Sequence, residues 1–191
     1  MSPRTAQTSA PVIESLAERW SPRAFDLSHE LPEGALRGLL EAARWAPSAN
    51  NTQPWRFIVA RRGGESFARI VDTLVGFNQV WAVNAGALIV NLAETTDAGG
   101  NALPWAEYDL GQAVAHFSVQ ATAEGFHVHQ LGGFDRDGVR AAFDLEDRLV
   151  PVSISAVGKI GSADDLPEVL RERELAPRTR LDLESLVLVR D

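Results

Sequence analysis

The sequence has no cysteine among its 191 residues, and this absence removes several classes of function. Disulfide scaffolds, iron–sulfur clusters, thiolate zinc sites and cysteine nucleophiles all require sulfur that this chain does not carry. Long apolar runs are also lacking, since no stretch approaches the roughly 18 residues that a membrane-spanning helix needs. The first eleven residues are polar and contain no apolar signal core. These absences predict a cytoplasmic protein with no membrane partner.

Positive charge is scarce as well. The chain has 18 basic residues against 26 acidic ones, a net charge of −8 and a pI near 5.0. This balance argues against nucleic acid as the main partner. Lys159 is the only lysine, so a single arginine is weak evidence of guanidinium chemistry, because arginine supplies nearly every positive charge. The composition, 45% hydrophobic and 23% charged, is that of an ordinary folded protein.

Four common motifs are missing. The sequence contains no GxGxxG after its first predicted strand, no GxxxxGK[ST], no GxSxG and no HExxH. These motifs mark dinucleotide-binding Rossmann domains, P-loop NTPases, α/β-hydrolases and zinc peptidases. Their absence counts against all four classes.

Hydrophobic periodicity predicts one domain over residues 12–191, preceded by a flexible tail at 1–11. Helices and strands are interleaved, with the helices flanking a central sheet. The helix predicted over 108–125 is rich in alanine and nearly free of charge, which indicates burial in a core or a subunit contact. The other predicted helices cover 12–20, 33–46, 65–75, 135–143 and 164–174, and the predicted strands cover 55–59, 87–92, 126–131, 151–157 and 186–189.

Two segments in the first third of the chain could carry chemistry. In 19–25, two arginines and a serine converge where a helix ends, and the planar guanidinium fork suits a phosphate group. The alternative is a solvated arginine pair at a helix C-terminus. In 46–55, small and amide residues lie between two prolines and offer mixed donors and acceptors to a heteroaromatic ring. The alternative is a turn-rich loop that satisfies its own backbone.

Two further segments lie downstream. His127 and His129 alternate on a predicted strand, but no third ligand lies close in sequence, so no metal site is predicted. Gly132 and Gly133 follow that strand and either allow a ligand to approach the backbone or form a turn with positive φ. The basic pair in 176–181 either binds phosphate or is solvated.

Taken in order, these segments resemble the FMN-dependent nitroreductase family. The matches are Arg-x-Ser-x-Arg-x-Phe at 19–25, Glu-Ala-Ala-Arg-Trp-Ala-Pro-Ser at 41–48 and Asn-x-Gln-Pro-Trp-Arg-Phe at 51–57. Leu-Gly-Gly-Phe-Asp at 131–135 and Arg-x-Arg-Leu at 178–181 complete the set. The resemblance covers residues 14–190, and the block from Pro47 to Trp55 is its most specific part.

The resemblance implies an α+β fold, with a central, mainly antiparallel sheet flanked by helices in an intertwined homodimer. FMN would lie at the dimer interface and be touched by both subunits. NADH or NADPH would act as reductant for a nitroaromatic, quinone or related small acceptor, by ping-pong hydride transfer through the flavin. The last strand would join the partner's sheet, which would protect its apolar edge.

The resemblance also implies roles for individual residues. Arg19 and Arg180, supported by Arg178, would hold the FMN phosphate, while Ser21 and Arg23 would face the pyrimidine side of the ring. No side chain is expected to be catalytic, because the flavin carries the chemistry. The complete implied cofactor-binding set is Arg19, Trp20, Ser21, Arg23, Pro47, Ser48, Ala49, Asn51, Asn78, Leu131, Gly132, Gly133, Arg178 and Arg180.

The acceptor is left open by the sequence. The segment 94–107 is short, whereas family members often carry a longer excursion here that covers the active site. A flavin carrier or sensor with little reductase turnover is the alternative function, and a specialised enzyme that fragments or dehalogenates its substrate is a more distant one.

Overall fold

Four strands form a sheet in the order β1-β2-β4-β3, and every neighbouring pair is antiparallel. The computed structural model describes residues 4–190. Its strands are β1 (Trp55–Arg61), β2 (Ala87–Glu94), β3 (His127–Leu131) and β4 (Leu149–Gly158). The antiparallel sheet with flanking helices confirms the α+β fold.

The described residues also form eight α-helices. They are α1 (Glu14–Glu18), α2 (Glu33–Arg44), α3 (Glu65–Thr73), α4 (Asn78–Trp81), α5 (Ala106–Ala123), α6 (Arg136–Phe143), α7 (Glu168–Leu175) and α8 (Leu183–Leu186). None of them is long and apolar enough to cross a membrane.

Alternation along β2 divides the core into two parts. Ala87, Ile89 and Ala93 pack with α2 and α5 on one side of the sheet. Leu88, Val90 and Leu92 pack with α3 and α6 on the other side. Successive side chains of a strand point to opposite faces, so a strand buried on both faces is apolar throughout. The mostly apolar run at 87–92 follows from this position, and its one polar residue, Asn91, donates its amide hydrogens to the hydroxyls of Ser153 and Ser155.

Helix α5 is buried along one face only. That face includes Leu110, Val114 and Phe117 and packs against the sheet and α2. The opposite face is exposed in the single chain, and 66% of Tyr108 is accessible to solvent. The prediction of burial on most sides therefore does not describe the single chain.

Two predicted elements near the C-terminus differ from the structure. The helix predicted over 164–174 is a short 3₁₀ turn at 163–165, followed by α7. Leu166 between them is extended, because the residue before Pro167 is disfavoured in the helical region. The prediction of a strand over 186–189 is wrong for the single chain. Leu186 ends α8, and residues 187–190 pair with no strand among those described.

The N-terminal segment contacts the rest of the chain. Residues 4–11 form no helix or strand, yet the Ala6 N–H donates to the Ala17 carbonyl over 2.8 Å. The Arg178 guanidinium also donates to the Arg4 carbonyl over 2.6 Å. Flexibility of residues 1–11 and a single unit over 12–191 stay predictions. Residues 1–3 and 191 lie outside those that the structure describes.

Candidate functional site

The segment 19–25 begins where α1 ends. The Arg19 N–H closes the helix on the Ser15 carbonyl at 3.1 Å, and the chain then continues extended. Pro22 is buried, whereas Arg19, Ser21 and Arg23 are half-buried. The Arg19 guanidinium lies 3.5 Å from the Ser21 hydroxyl. The segment therefore presents two guanidiniums and a hydroxyl on a backbone that the core holds in place.

Three guanidiniums gather around this segment without a carboxylate to neutralise them. Burial lowers the pKa of Arg19, and the nearby Arg180 lowers it further. The pKa of Arg178 is lowered by burial and then by Arg19 and Arg180. Among residues 4–190, no carboxylate lies within ion-pair distance of any of the three. In a chain of net charge −8, this cluster concentrates positive charge at one place, which is an arrangement that attracts anions.

Arg178 uses much of its hydrogen-bonding capacity on the backbone. One terminal nitrogen donates to the carbonyls of Arg4 and Ala17, at 2.6 and 2.9 Å. The other donates to the Arg19 carbonyl at 2.7 Å. Arg178 therefore holds the C-terminal end of α1, and with it Arg19, in place.

The two strand histidines do not add positive charge to the cluster. Burial lowers the pKa of both to about 4, so both are neutral at pH 7. The His129 ring packs on Trp81 with 4.4 Å between centroids, and its Nδ1–H donates to the Pro22 carbonyl at 2.9 Å. The His127 ring meets the edge of Trp20. Within residues 4–190, no group of three or more potential ligands could hold a metal ion.

Asn78 and Gly133 are in direct contact. The Asn78 amide donates to the Gly133 carbonyl at 3.0 Å and accepts from the Trp81 indole at 3.2 Å. A Cβ on Gly133 would lie 2.5 Å from the Asn78 amide nitrogen, so a side chain there would displace that amide from its hydrogen bond. Neither Gly132 nor Gly133 has positive φ. The turn with positive φ is therefore wrong for this pair, and the group that approaches Gly133 closely is the Asn78 side chain. Approach of a ligand to these glycines stays a prediction.

A chain of contacts joins this pair to segment 19–25. Gly133 contacts Asn78, and Asn78 contacts Trp81. The Trp81 ring packs at a tilt against His129, which donates a hydrogen bond to Pro22. Leu131 is buried at the end of β3, two residues before Gly133. The structure therefore brings together the predicted site residues of 19–23, 78, 131–133 and 178–180.

The loop at 47–51 lies elsewhere in the same chain. The Ala49 N–H donates to Asp109 at 3.0 Å, and the Ser48 hydroxyl accepts from the Gln53 N–H at 3.1 Å. Asp109 lies near the start of α5, whereas Ser118, farther along α5, lines a cavity with Arg19 and Ser21. Asp109 and Ser118 are nine positions apart along the helix, which corresponds to a distance of about 14 Å. One chain does not bring these two parts of the predicted site into contact.

Backbone strain marks the same loop. Asn50, Asn51 and Gln53 have φ of 52, 57 and 49°, in the left-handed region that residues other than glycine rarely adopt. Such conformations persist only where the surroundings enforce them, and they concentrate at functional sites. The loop borders a cavity of about 220 Å³ that Trp105 and Tyr108 also line.

Two buried carboxylates belong to the site's framework but were missed by sequence reasoning. Asp109 is 2% exposed and anchors the 47–51 loop. Glu174 is 3% exposed and binds segment 19–25. Each had a local signal. Asp109 directly precedes the apolar Leu110 in α5, and Glu174 lies four residues after buried Leu170, on the same helical face.

Replacing Gly133 with alanine is expected to destabilise the fold by about 1–2 kcal/mol, because the new methyl group breaks the Asn78–Gly133 hydrogen bond in a partly buried setting. The matched control is Gly132→Ala, since a Cβ there meets nothing within 4 Å. Urea denaturation of both variants measures the difference. Equal unfolding free energies for the two variants would remove the structural role of this contact.

Comparison with known proteins identifies the family. A sequence model of the Nitroreductase family matches residues 16–88. A crystal structure of an oxidoreductase containing FMN superposes with a TM-score of 0.91 at 33% identity, covering 98% of this chain and 96% of that one. An uncharacterised 15.4 kDa protein of Mycolicibacterium smegmatis is 35% identical over 138 residues, which span 69% of this chain and 92% of the relative.

A more distant relative, the Bacillus subtilis protein YdgI, bears the name of a candidate NAD(P)H nitroreductase and is 25% identical over 186 residues. That match covers 77% of this chain and 87% of the relative. The antiparallel fold, the motif order and these similarities agree, and the chain belongs to the nitroreductase family.

Proposed function

We propose that this protein is an FMN-dependent oxidoreductase that uses NADH or NADPH to reduce nitroaromatic, quinone or related small acceptors by ping-pong hydride transfer. The observation that carries the proposal is the guanidinium cluster around segment 19–25, which has no carboxylate partner among residues 4–190. A phosphate dianion supplies the missing negative charge, and guanidinium forks bind its oxygens in pairs. The 33%-identical structural relative is described as containing FMN.

The phosphate end of FMN fits Arg19 and Arg180 best. Among residues 4–190, the Arg180 side chain donates only to the neighbouring Thr179 carbonyl, at 2.8 Å, and the Arg19 guanidinium approaches only the Ser21 hydroxyl. Arg178, in contrast, already makes three hydrogen bonds to backbone carbonyls. We therefore assign phosphate binding to Arg19 and Arg180, and to Arg178 a supporting role through the position of Arg19.

The ring end fits the surface between Ser21, Arg23 and Gly133. Gly132 is exposed with nothing within 4 Å of its Cβ position, so the backbone there is open to a flat ligand. When bound, FMN would supply hydride transfer between the nicotinamide and the acceptor. The guanidinium of Arg23 would lie against the ring and favour the negative charge that reduction adds. Trp20 and Leu131 would support this surface from the core, where both are buried.

A second subunit would complete the site. The 47–51 loop, which includes Pro47, Ser48, Ala49 and Asn51, is separated from Arg19 within one chain but is strained and borders a cavity. A homodimer packed through the exposed face of α5 would bring one subunit's loop to the other subunit's ring. The exposed C-terminal residues, including Leu188 at 95%, would gain a partner in the same assembly.

The acceptor would enter beside Trp105 and Tyr108. Residues 94–107 form a short excursion closed by an antiparallel bridge between Thr96 and Ala102. The Asp97 carboxylate caps its turn and accepts from the N–H groups of Gly99 and Asn101, both at 2.8 Å. The two exposed aromatic rings next to the 47–49 loop offer edge and face contacts to a planar acceptor.

The direct test is the absorption spectrum of the purified protein with and without reduced nicotinamide. A yellow protein that releases FMN on denaturation, bleaches anaerobically with NADH or NADPH and recovers its colour with a quinone or nitroaromatic supports the enzyme. If FMN is bound but neither NADH nor NADPH bleaches it, the result supports the carrier or sensor. A colourless protein that takes up no added FMN contradicts both.

A further inference from the structure

Glu174 is a buried carboxylate in a helix that otherwise carries its charges on the surface. It lies in the last turn of α7, where Leu170 and Glu174 are the two buried residues. Its side chain is 3% exposed, and this residue connects α7 to segment 19–25. Burying a carboxylate is costly unless its oxygens receive hydrogen bonds. The partners of these oxygens therefore indicate what the residue does.

Both oxygens are directed at the backbone of segment 19–25. The Arg23 N–H donates to Oε1 and Oε2 at 2.9 and 3.0 Å, and the Ala24 N–H donates to Oε1 at 3.1 Å. The Arg23 guanidinium lies 3.9 Å from Oε2. Two consecutive amides held by one carboxylate are a charge-assisted arrangement, which is stronger than contacts between neutral groups.

This arrangement fixes the backbone immediately before and after the Arg23 Cα. Two N–H groups cannot turn to solvent without breaking bonds to a buried charge, which would then be left unpaired. The other end of the segment is held by Arg178, which donates to the Arg19 carbonyl at 2.7 Å. An apolar side chain in the same space would leave both N–H groups without their carboxylate acceptor. The carboxylate therefore determines where the backbone of Arg23 lies.

We propose that Glu174 is a positioning residue that holds the Arg23 backbone so that the Arg23 guanidinium stands against the flavin ring. This inference rests on the proposed function. It separates two tasks in the site: Glu174 acts at the ring end through Arg23, while Arg19 and Arg180 act at the phosphate end. Loss of Glu174 must then affect any ligand with an isoalloxazine ring, whether or not it carries a phosphate.

The test compares Glu174→Gln with Glu94→Gln. Glu94 is a matched control, because its carboxylate is also buried, at 8% exposed, and pairs with Arg56 and Arg148 beside the first residue of β4. Affinity for FMN and for riboflavin, measured by fluorescence titration, is expected to fall at least tenfold in Glu174→Gln and by the same factor for both ligands. Glu94→Gln is expected to leave both affinities unchanged.

Two further measurements separate positioning from simple destabilisation. In the flavin-free protein, hydrogen exchange at the Arg23 and Ala24 amides is expected to accelerate in Glu174→Gln but not in Glu94→Gln. The midpoint potential of the bound flavin is expected to become more negative, by about 30 mV for each tenfold loss of preference for the reduced ring. If Glu174→Gln does not fold, Glu174→Asp keeps the charge on a shorter side chain and is measured in the same way.

The possible outcomes distinguish the positioning role of Glu174 from the proposed flavin-dependent function. If the wild-type protein binds neither FMN nor riboflavin, the proposed function is wrong. If the wild-type protein binds FMN and Glu174→Gln matches Glu94→Gln in affinity, exchange and potential, the function stands and the positioning role is overturned. Loss of FMN binding with riboflavin binding intact would also overturn it, because that result would place Glu174 at the phosphate end.

Discussion

The double variant Arg19→Ala with Arg180→Ala is expected to lose FMN while retaining its fold. Each guanidinium would contribute charge-assisted hydrogen bonds to the phosphate, worth about 1.5–3 kcal/mol apiece. Removing both would cost about 3–6 kcal/mol, which is a loss of about 10²–10⁴ in affinity. Isothermal titration of flavin-free protein with FMN measures the effect. The fold should tolerate the change, because neither side chain pairs with a carboxylate among the described residues.

Two controls make this result specific. Arg37→Ala with Arg69→Ala removes the same charge from exposed positions on α2 and α3, so it reports the effect of net charge alone. Riboflavin, which lacks the phosphate, should bind the Arg19/Arg180 double variant as it binds the wild type. FMN affinity equal to that of the wild type would remove the phosphate assignment from these two residues.

Gly111→Glu is expected to convert a dimer into a folded monomer that no longer binds FMN. Gly111 lies in α5 with nothing within 4 Å of its Cβ position, so glutamate fits the single chain without a clash. Within the helix, glutamate is favoured over glycine by up to about 1 kcal/mol, so the monomer itself should not be weakened. In the proposed dimer the same carboxylate would be buried without a partner, which costs several kcal/mol.

The matched control is Gly34→Glu in α2, which is also a helical glycine with open space at its Cβ position. Sedimentation equilibrium of flavin-free protein gives the oligomeric state of both variants, and flavin content is measured separately. Gly34→Glu should remain a dimer that binds FMN. A Gly111→Glu variant that still dimerises and binds FMN would rule out the α5 face as the interface.

The absence of charge on α5 supports this choice of interface. Residues 110–123 contain no aspartate, glutamate, lysine or arginine, although one face of the helix is exposed in the single chain. Exposed helical faces in soluble proteins normally carry charged residues. An uncharged exposed face next to exposed Trp105 and Tyr108 is typical of a surface that another chain covers.

Several elements could be predicted from the sequence because the signals for them are local. The apolar stripe of α2, the run at 87–92 and the proline at 47 each act over a few residues, so the corresponding elements have nearly the predicted bounds. The predicted helix at 164–174 failed at Pro167, where the local signal was present but not used. The predicted strand at 186–189 failed because a strand needs a partner, and a single chain offers none there.

The sequence by itself determined the exclusion of cysteine chemistry and the order of motifs that resembles the nitroreductase family, and that resemblance implied the α+β class. Only the tertiary structure decided how individual polar groups are used. It assigned the Arg178 donors to backbone carbonyls, placed the 47–51 loop away from Arg19, and buried Glu174 against the amides of Arg23 and Ala24. The physical reason is that these contacts join a side chain to the backbone of a distant segment. Every residue except proline offers the same backbone N–H and C=O, so the identity of the partner residue carries almost no signal in the sequence.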